Sequence, residues 1–140
     1  MNQDVVLEFI RQVFKKEEEA RRNAKDVYLG GNCGNLFRLL KSEFPEAIAY
    51  HVKFKRGHIV TLIQDKFYDI NGVFDPNEIL GYEWQEYMSE ATEYDIVRCS
   101  DNYGKPGFRG YVEPTPTRAE KLKRFFASVK QNVQNIFNVE

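Results

Sequence analysis

Gly30-Gly31-Asn32-Cys33-Gly34-Asn35-Leu36-Phe37-Arg38-Leu39-Leu40 is the stretch whose reading decides the fold. The paired glycines interrupt the preceding segment. Asn32 has the side chain of an N-cap. Leu36, Phe37, Leu39, Leu40 and Phe44 recur at helical spacing until Pro45 ends the run. Cys33 therefore falls in the first turn of a helix, where backbone N–H groups lack partners and the dipole is positive. Both favour a thiolate, so the position predicts a depressed thiol pKa and a nucleophile. The Gly34 N–H, with Gly31 and Asn32 beside it, is the expected cradle for substrate and for the oxyanion of acyl transfer. A competing use exists: Cys33 is in register with Phe37, Leu40 and Phe44, as a core thiol would be.

Working downstream, residues 47–54 alternate with Ile48, Tyr50, Val52 and Phe54 on one face and read as a strand. Lys55-Arg56-Gly57 is a turn, His58–Ile63 a second strand and Phe67–Ile70 a third. A turn at Gln64-Asp65 pairs Val60 with Asp69 and makes Asp69 a diagonal neighbour of His58, about 7–8 Å away at Cα. His58 is the expected general base, and Asp69 the group that fixes its tautomer. Asp69 has a plainer alternative as the cap of the Asn71-Gly72 turn. His51, mid-strand on the face opposite Ile48 and Tyr50, is the other histidine and ranks behind His58.

Outward from this core, Val5, Val6, Phe9, Ile10, Val13 and Phe14 predict a helix from residue 3 to about 24, capped by Asn2 or Asp4, with a solvated charged half at 15–22. Asp75-Pro76-Asn77-Glu78 is a helix start, and Leu80, Trp84, Tyr87 and Met88 continue at helical spacing. Residues 92–99 read as a last strand, with Cys99 structural. The Gly-, Pro- and Asn-rich segment 100–116 reads as a loop that either covers a site or is a surface excursion. Residues 117–137 form an amphipathic helix with Leu122, Phe125, Phe126, Val129, Val133, Ile136 and Phe137 on one side. Docking on its own core is the plainer expectation, and binding to a protein partner or membrane the alternative.

The 140 residues, 42% hydrophobic with net charge −1, suit one domain with no global field for nucleic acid. Its parts are 1–29 (N-terminal helix), 30–99 (catalytic-type core), 100–116 (loop) and 117–140 (C-terminal helix). No apolar run approaches the roughly 18 residues of a membrane span. No signal-peptide pattern opens the chain, so the cytoplasm is the expected location. Cys33 and Cys99 make no disulfide framework. Cys33, His51, His58 and Cys99 lack zinc-type pair spacing, and the glycine-rich loop lacks the Lys-Ser/Thr ending of a phosphate loop, so no metal or other cofactor is expected.

The order of a cysteine at a helix start, a histidine at a strand start and a polar residue on the next strand resembles the papain-like fold cysteine hydrolases. The close spacing of His58 and Asp69 is similar to the compact NlpC/P60 and CHAP amidases. The likeness spans residues 30–72. It implies an α+β papain-like core: a Cys-bearing helix packed on a small antiparallel sheet, with flanking N- and C-terminal helices. It also implies that Cys33 attacks an amide or ester carbonyl, His58 moves the proton and Asp69 orients His58. The substrate would be a peptide, isopeptide or cell-wall amide. Asn32 stands where the NlpC/P60 group often has aspartate, and no glutamine precedes Cys33. The alternatives are a non-catalytic protein-binding module on the same fold and a deamidase or transglutaminase-type enzyme.

Overall fold

In the computed structural model, which describes residues 3–53, 57–109, 111–114 and 117–137, helix α3 (Cys33–Glu43) lies across a five-stranded antiparallel sheet. The turn at 55–56, Asn2 as a cap, Phe54 and Pro116 lie outside the described residues. The strands are β1 (Ile48–Val52), β2 (His58–Ile63), β3 (Lys66–Asp69), β4 (Gly72–Phe74) and β5 (Met88–Glu90). Their spatial order is β4-β3-β2-β1-β5. A two-residue turn at Gln64-Asp65 sets Ile63 opposite Lys66 and Thr61 opposite Tyr68, so Val60 stands opposite Asp69 as the turn predicts. Gln64 takes the positive φ of +54° that this tight turn requires.

The two faces of the sheet bury different residues because successive side chains alternate. On one face Ala49, Ile59, Thr61, Ile63 and Tyr68 are buried. Ile63 and Tyr68 pack with Val6, Ile10, Val13, Val27, Leu36 and Leu40 from α1 (Gln3–Glu19), α2 (Ala24–Leu29) and α3. On the other, Val52, Val60, Phe74 and Met88 are covered by Leu80 and Trp84.

Several elements differ from expectation. The N-terminal helix is two helices, α1 and α2, because Asn23 caps a new start by accepting from the Asp26 N–H at 3.1 Å. The helical run expected from Pro76 stops at α4 (Pro76–Leu80), where Gly81 adopts φ +91°. A 3-10 turn (Trp84–Glu86) and edge strand β5 then follow. The expected strand at 92–99 is helix α5 (Glu93–Arg98). Thr92 and Asp95 form a reciprocal capping box, with Asp95 N–H to Thr92 Oγ1 at 3.1 Å and Thr92 N–H to Asp95 Oδ2 at 2.9 Å. The last helix, α6 (Arg118–Phe137), does not dock on the core: Leu122, Phe125, Phe126, Val129, Val133 and Ile136 are all exposed. No helix among the described residues is long and apolar enough to cross a membrane.

Candidate active site

The α3 N-terminus meets the sheet where β2 begins. The Ile59 N–H donates to Cys33 Sγ at 3.3 Å. Cys33 packs with Ala49 and Ile59, so the thiol meets the start of β2 from the helix-covered side of the sheet. His58 is the residue next to Ile59. It leaves β2 on the face of Val52 and Val60, where its ring centroid is 6.3 Å from that of Phe74. Its Nε2 lies 3.3 Å from Asp69 Oδ2. The diagonal register of β2 and β3 therefore brings His58 and Asp69 together. The other carboxylate oxygen, Asp69 Oδ1, accepts the Asn71 N–H at 2.8 Å, so the turn-capping use and the imidazole-holding use coexist. An ionised carboxylate accepts a proton from Nε2, which leaves Nδ1 as the basic nitrogen of a neutral ring.

Cys33 is 5% exposed and packs with Ala49, Ile59, Ile96 and Cys99. Its thiol is pushed up from the ordinary value, not depressed as its helix position predicts. The hydrogen bond with the Cys99 thiol is the main cause and burial the next. The N–H groups of Ile59 and Gly34 pull the other way and are outweighed. The interaction with the Cys33 thiol lowers Cys99, helped by Arg98 and opposed by burial and Asp95. The Cys33 thiol lies 3.9 Å from the Cys99 carbonyl, to which it donates.

The expected oxyanion cradle is partly committed elsewhere. The Gly34 N–H is bonded to Cys99 O at 2.8 Å. Asn32 makes no side-chain cap on α3. Its Oδ1 instead accepts the N–H groups of Asn102 at 2.8 Å and Tyr103 at 2.9 Å, which ties the following loop to the α3 entrance. Gly31, at φ +110°, comes so close to Asn102 and Phe108 that a Cβ there would clash. Arg109 also ion-pairs with Asp26 at 3.2 Å. The loop thus covers the site through residue 109. Between it, Gly30-Gly31 and Gly57 is a cavity of about 310 Å³ with Cys33, Cys99 and Arg98 in its wall.

Two residues gain importance that the sequence did not signal. Cys99, read as structural, shares the cavity with Cys33. His51 stands on the helix-covered face, opposite Ile59 in register. Its Nε2 is 2.5 Å from where a Cβ on cavity-lining Gly57 would lie. The strand alternation places His51 away from Tyr50, but only the packing of α3 and α5 shows that Cys33 is on that side. Among the described residues no three His, Cys, Asp or Glu side chains cluster as a metal ion would require.

No curated protein and no solved structure matches the chain. One family does, described as Phage YunG-like protein, over residues 6–109. That span holds most of α1, all of α2 to α5, the sheet, both cysteines and both histidines, and stops short of α6. The chain belongs to the phage YunG-like family.

Proposed function

We propose that this protein is a thiol-dependent hydrolase with a papain-like core, in which Cys33 is the nucleophile, His58 the base and Asp69 its orienting group. The observation that carries the reading is the His58–Asp69 contact of 3.3 Å, one residue from the N–H that holds Cys33 Sγ. Asp69 keeps the proton on His58 Nε2, so Nδ1 takes the thiol proton as sulfur attacks the carbonyl carbon. The protonated ring then donates to the leaving nitrogen, and water hydrolyses the thioester. The elevated thiol pKa means the resting site holds a neutral thiol, and the base acts during attack and not before it. The cavity wall carries Arg98 and Arg109 and no described carboxylate. That favours amide substrates bearing a carboxylate near the scissile bond.

His51 is the second candidate base, favoured by its place on the helix-covered side of the sheet with Cys33. A second reading of the whole chain, a protein-binding module, is favoured by the exposed apolar side of α6. The test is turnover of peptide, isopeptide and cell-wall amides by the purified chain. Cleavage is expected, abolished in Cys33→Ala and slowed about 10²–10⁴-fold in His58→Ala, with His51→Ala close to wild type. Release of ammonia without chain cleavage would assign a deamidase, and no turnover of any of the three classes would overturn the catalytic reading.

A further inference from the structure

Cys33 and Cys99 are 66 residues apart in the chain, yet α3 and α5 bring them into one buried cluster and one cavity wall. The approach is enforced by Gly34. A Cβ there would lie 2.5 Å from Ile96 O, 2.5 Å from Ser100 Oγ and 3.0 Å from Cys99 O. Only glycine lets the helices close to this distance. Gly34 N–H to Cys99 O at 2.8 Å fixes the backbone of one cysteine against the residue next to the other. Both thiols are free in this structure.

We propose that Cys33 and Cys99 form a site of reversible oxidation, closing to an intramolecular disulfide when a hydroperoxide enters the cavity. Cys99 is the sulfur oxidised first: it shares the cavity wall with Arg98, and the neighbouring Cys33 thiol and the Arg98 charge favour its thiolate against the opposing effect of burial. The Cys99 sulfur attacks a peroxide oxygen. The S–O bond forms, the O–O bond breaks and hydroxide leaves, so sulfur is oxidised and peroxide reduced. The Cys33 sulfur then attacks the Cys99 sulfenic acid and gives up its proton. The S–S bond forms, the S–O bond breaks and water leaves. A disulfide needs the sulfurs about 2 Å apart. The two thiols share one buried cluster, with Cys33 Sγ 3.9 Å from the Cys99 carbonyl, so closing the bond takes a movement of the α5 end towards α3. The product occupies Cys33 Sγ and straps α5 to the mouth of α3, so any chemistry at Cys33 waits on a thiol reductant.

This inference rests on the cysteine geometry and holds whether or not Cys33 is a hydrolase nucleophile. The experiment treats the reduced full-length chain with hydrogen peroxide, blocks remaining thiols and maps tryptic peptides without reduction. Cys33 and Cys99 fall in separate tryptic peptides, residues 26–38 and 99–109. The expected result is one linked pair of these peptides from monomeric protein, both thiols lost together and both restored by dithiothreitol. In Cys33→Ser, Cys99 is expected to stop at a sulfenic acid that dimedone traps. Independent loss of the two thiols, over-oxidation without a linked peptide, or links only between chains would overturn the proposal. Since the readout is a covalent map of wild-type protein, it stands apart from any failure to find a substrate.

Discussion

Asp69 divides its two oxygens between a turn and an imidazole, and a substitution can separate the two tasks. Asp69→Asn presents an amide and not a carboxylate to His58 Nε2. If His58 is the base, kcat should fall about 10²–10⁴-fold, while far-ultraviolet circular dichroism stays native. A fall in kcat no larger than the accompanying loss of folded protein would assign Asp69 to the turn alone. The Asp69–His58 pairing was legible in the sequence because a two-residue turn fixes register, and register fixes which side chains are diagonal. The Cys33 pKa was not legible. The helix start argues for a depressed value, and the opposing group, Cys99, lay in a segment read as a strand. Tyr28 offers a separate test. Its hydroxyl donates to Glu17 Oε1 at 3.1 Å. Burial first, then Glu17, raise its pKa from 10.0 to about 12. A raised folded-state value means this stabilisation is complete below pH 10.0 and lost as pH climbs toward 12. Tyr28→Phe should remove up to about 2 kcal/mol of that alkaline loss, measured by urea unfolding at stepped pH. An unchanged pH profile would contradict the assignment.

Among the elements, α5 shows why part of the chain was misread. Residues 92–99 carry Tyr94, Ile96 and Val97 in a short run that suits a strand, while the Thr92–Asp95 pair is a helix-start signal of equal brevity. The capping box wins, since it satisfies two end donors locally before any strand partner is found. Thr92→Ala should cost about 1 kcal/mol, read as a lower melting temperature. Gly34 sets how closely α3 approaches α5. Gly34→Ala forces contacts of 2.5 Å to relax and should destabilise by roughly 1–3 kcal/mol, with Cys33 more exposed to alkylation. An alanine variant as stable as wild type would show that α5 moves freely. Strands β4 and β5, three residues each, were invisible for a different reason: runs that short carry no periodicity of their own and exist because a neighbouring edge is available to pair.

For the whole molecule, the covering loop is tied to the α3 entrance by the Asn32 side chain, while α6 adds little burial. The family match ends at residue 109, before α6. Every described side chain of α6 is exposed, so its amphipathic pattern was legible but its partner was not. Apolar spacing says that a face wants covering, not what covers it. Removing residues 118–140 should shift the melting temperature by less than about 2 °C. A large drop would mean that the helix packs on the core after all.

A Cys33 thiol activated by a His58 imidazole that Asp69 steadies must pass through an acyl-enzyme. Trapping the acyl-enzyme tests this most directly. Single-turnover reaction with p-nitrophenyl acetate, quenched in acid and mapped by mass spectrometry, should place the acetyl group on Cys33. The rate should fall about 10²–10⁴-fold in His58→Ala and change little in His51→Ala. Acetylation of Cys99 in place of Cys33, or a Cys33 rate indifferent to His58, would contradict the account.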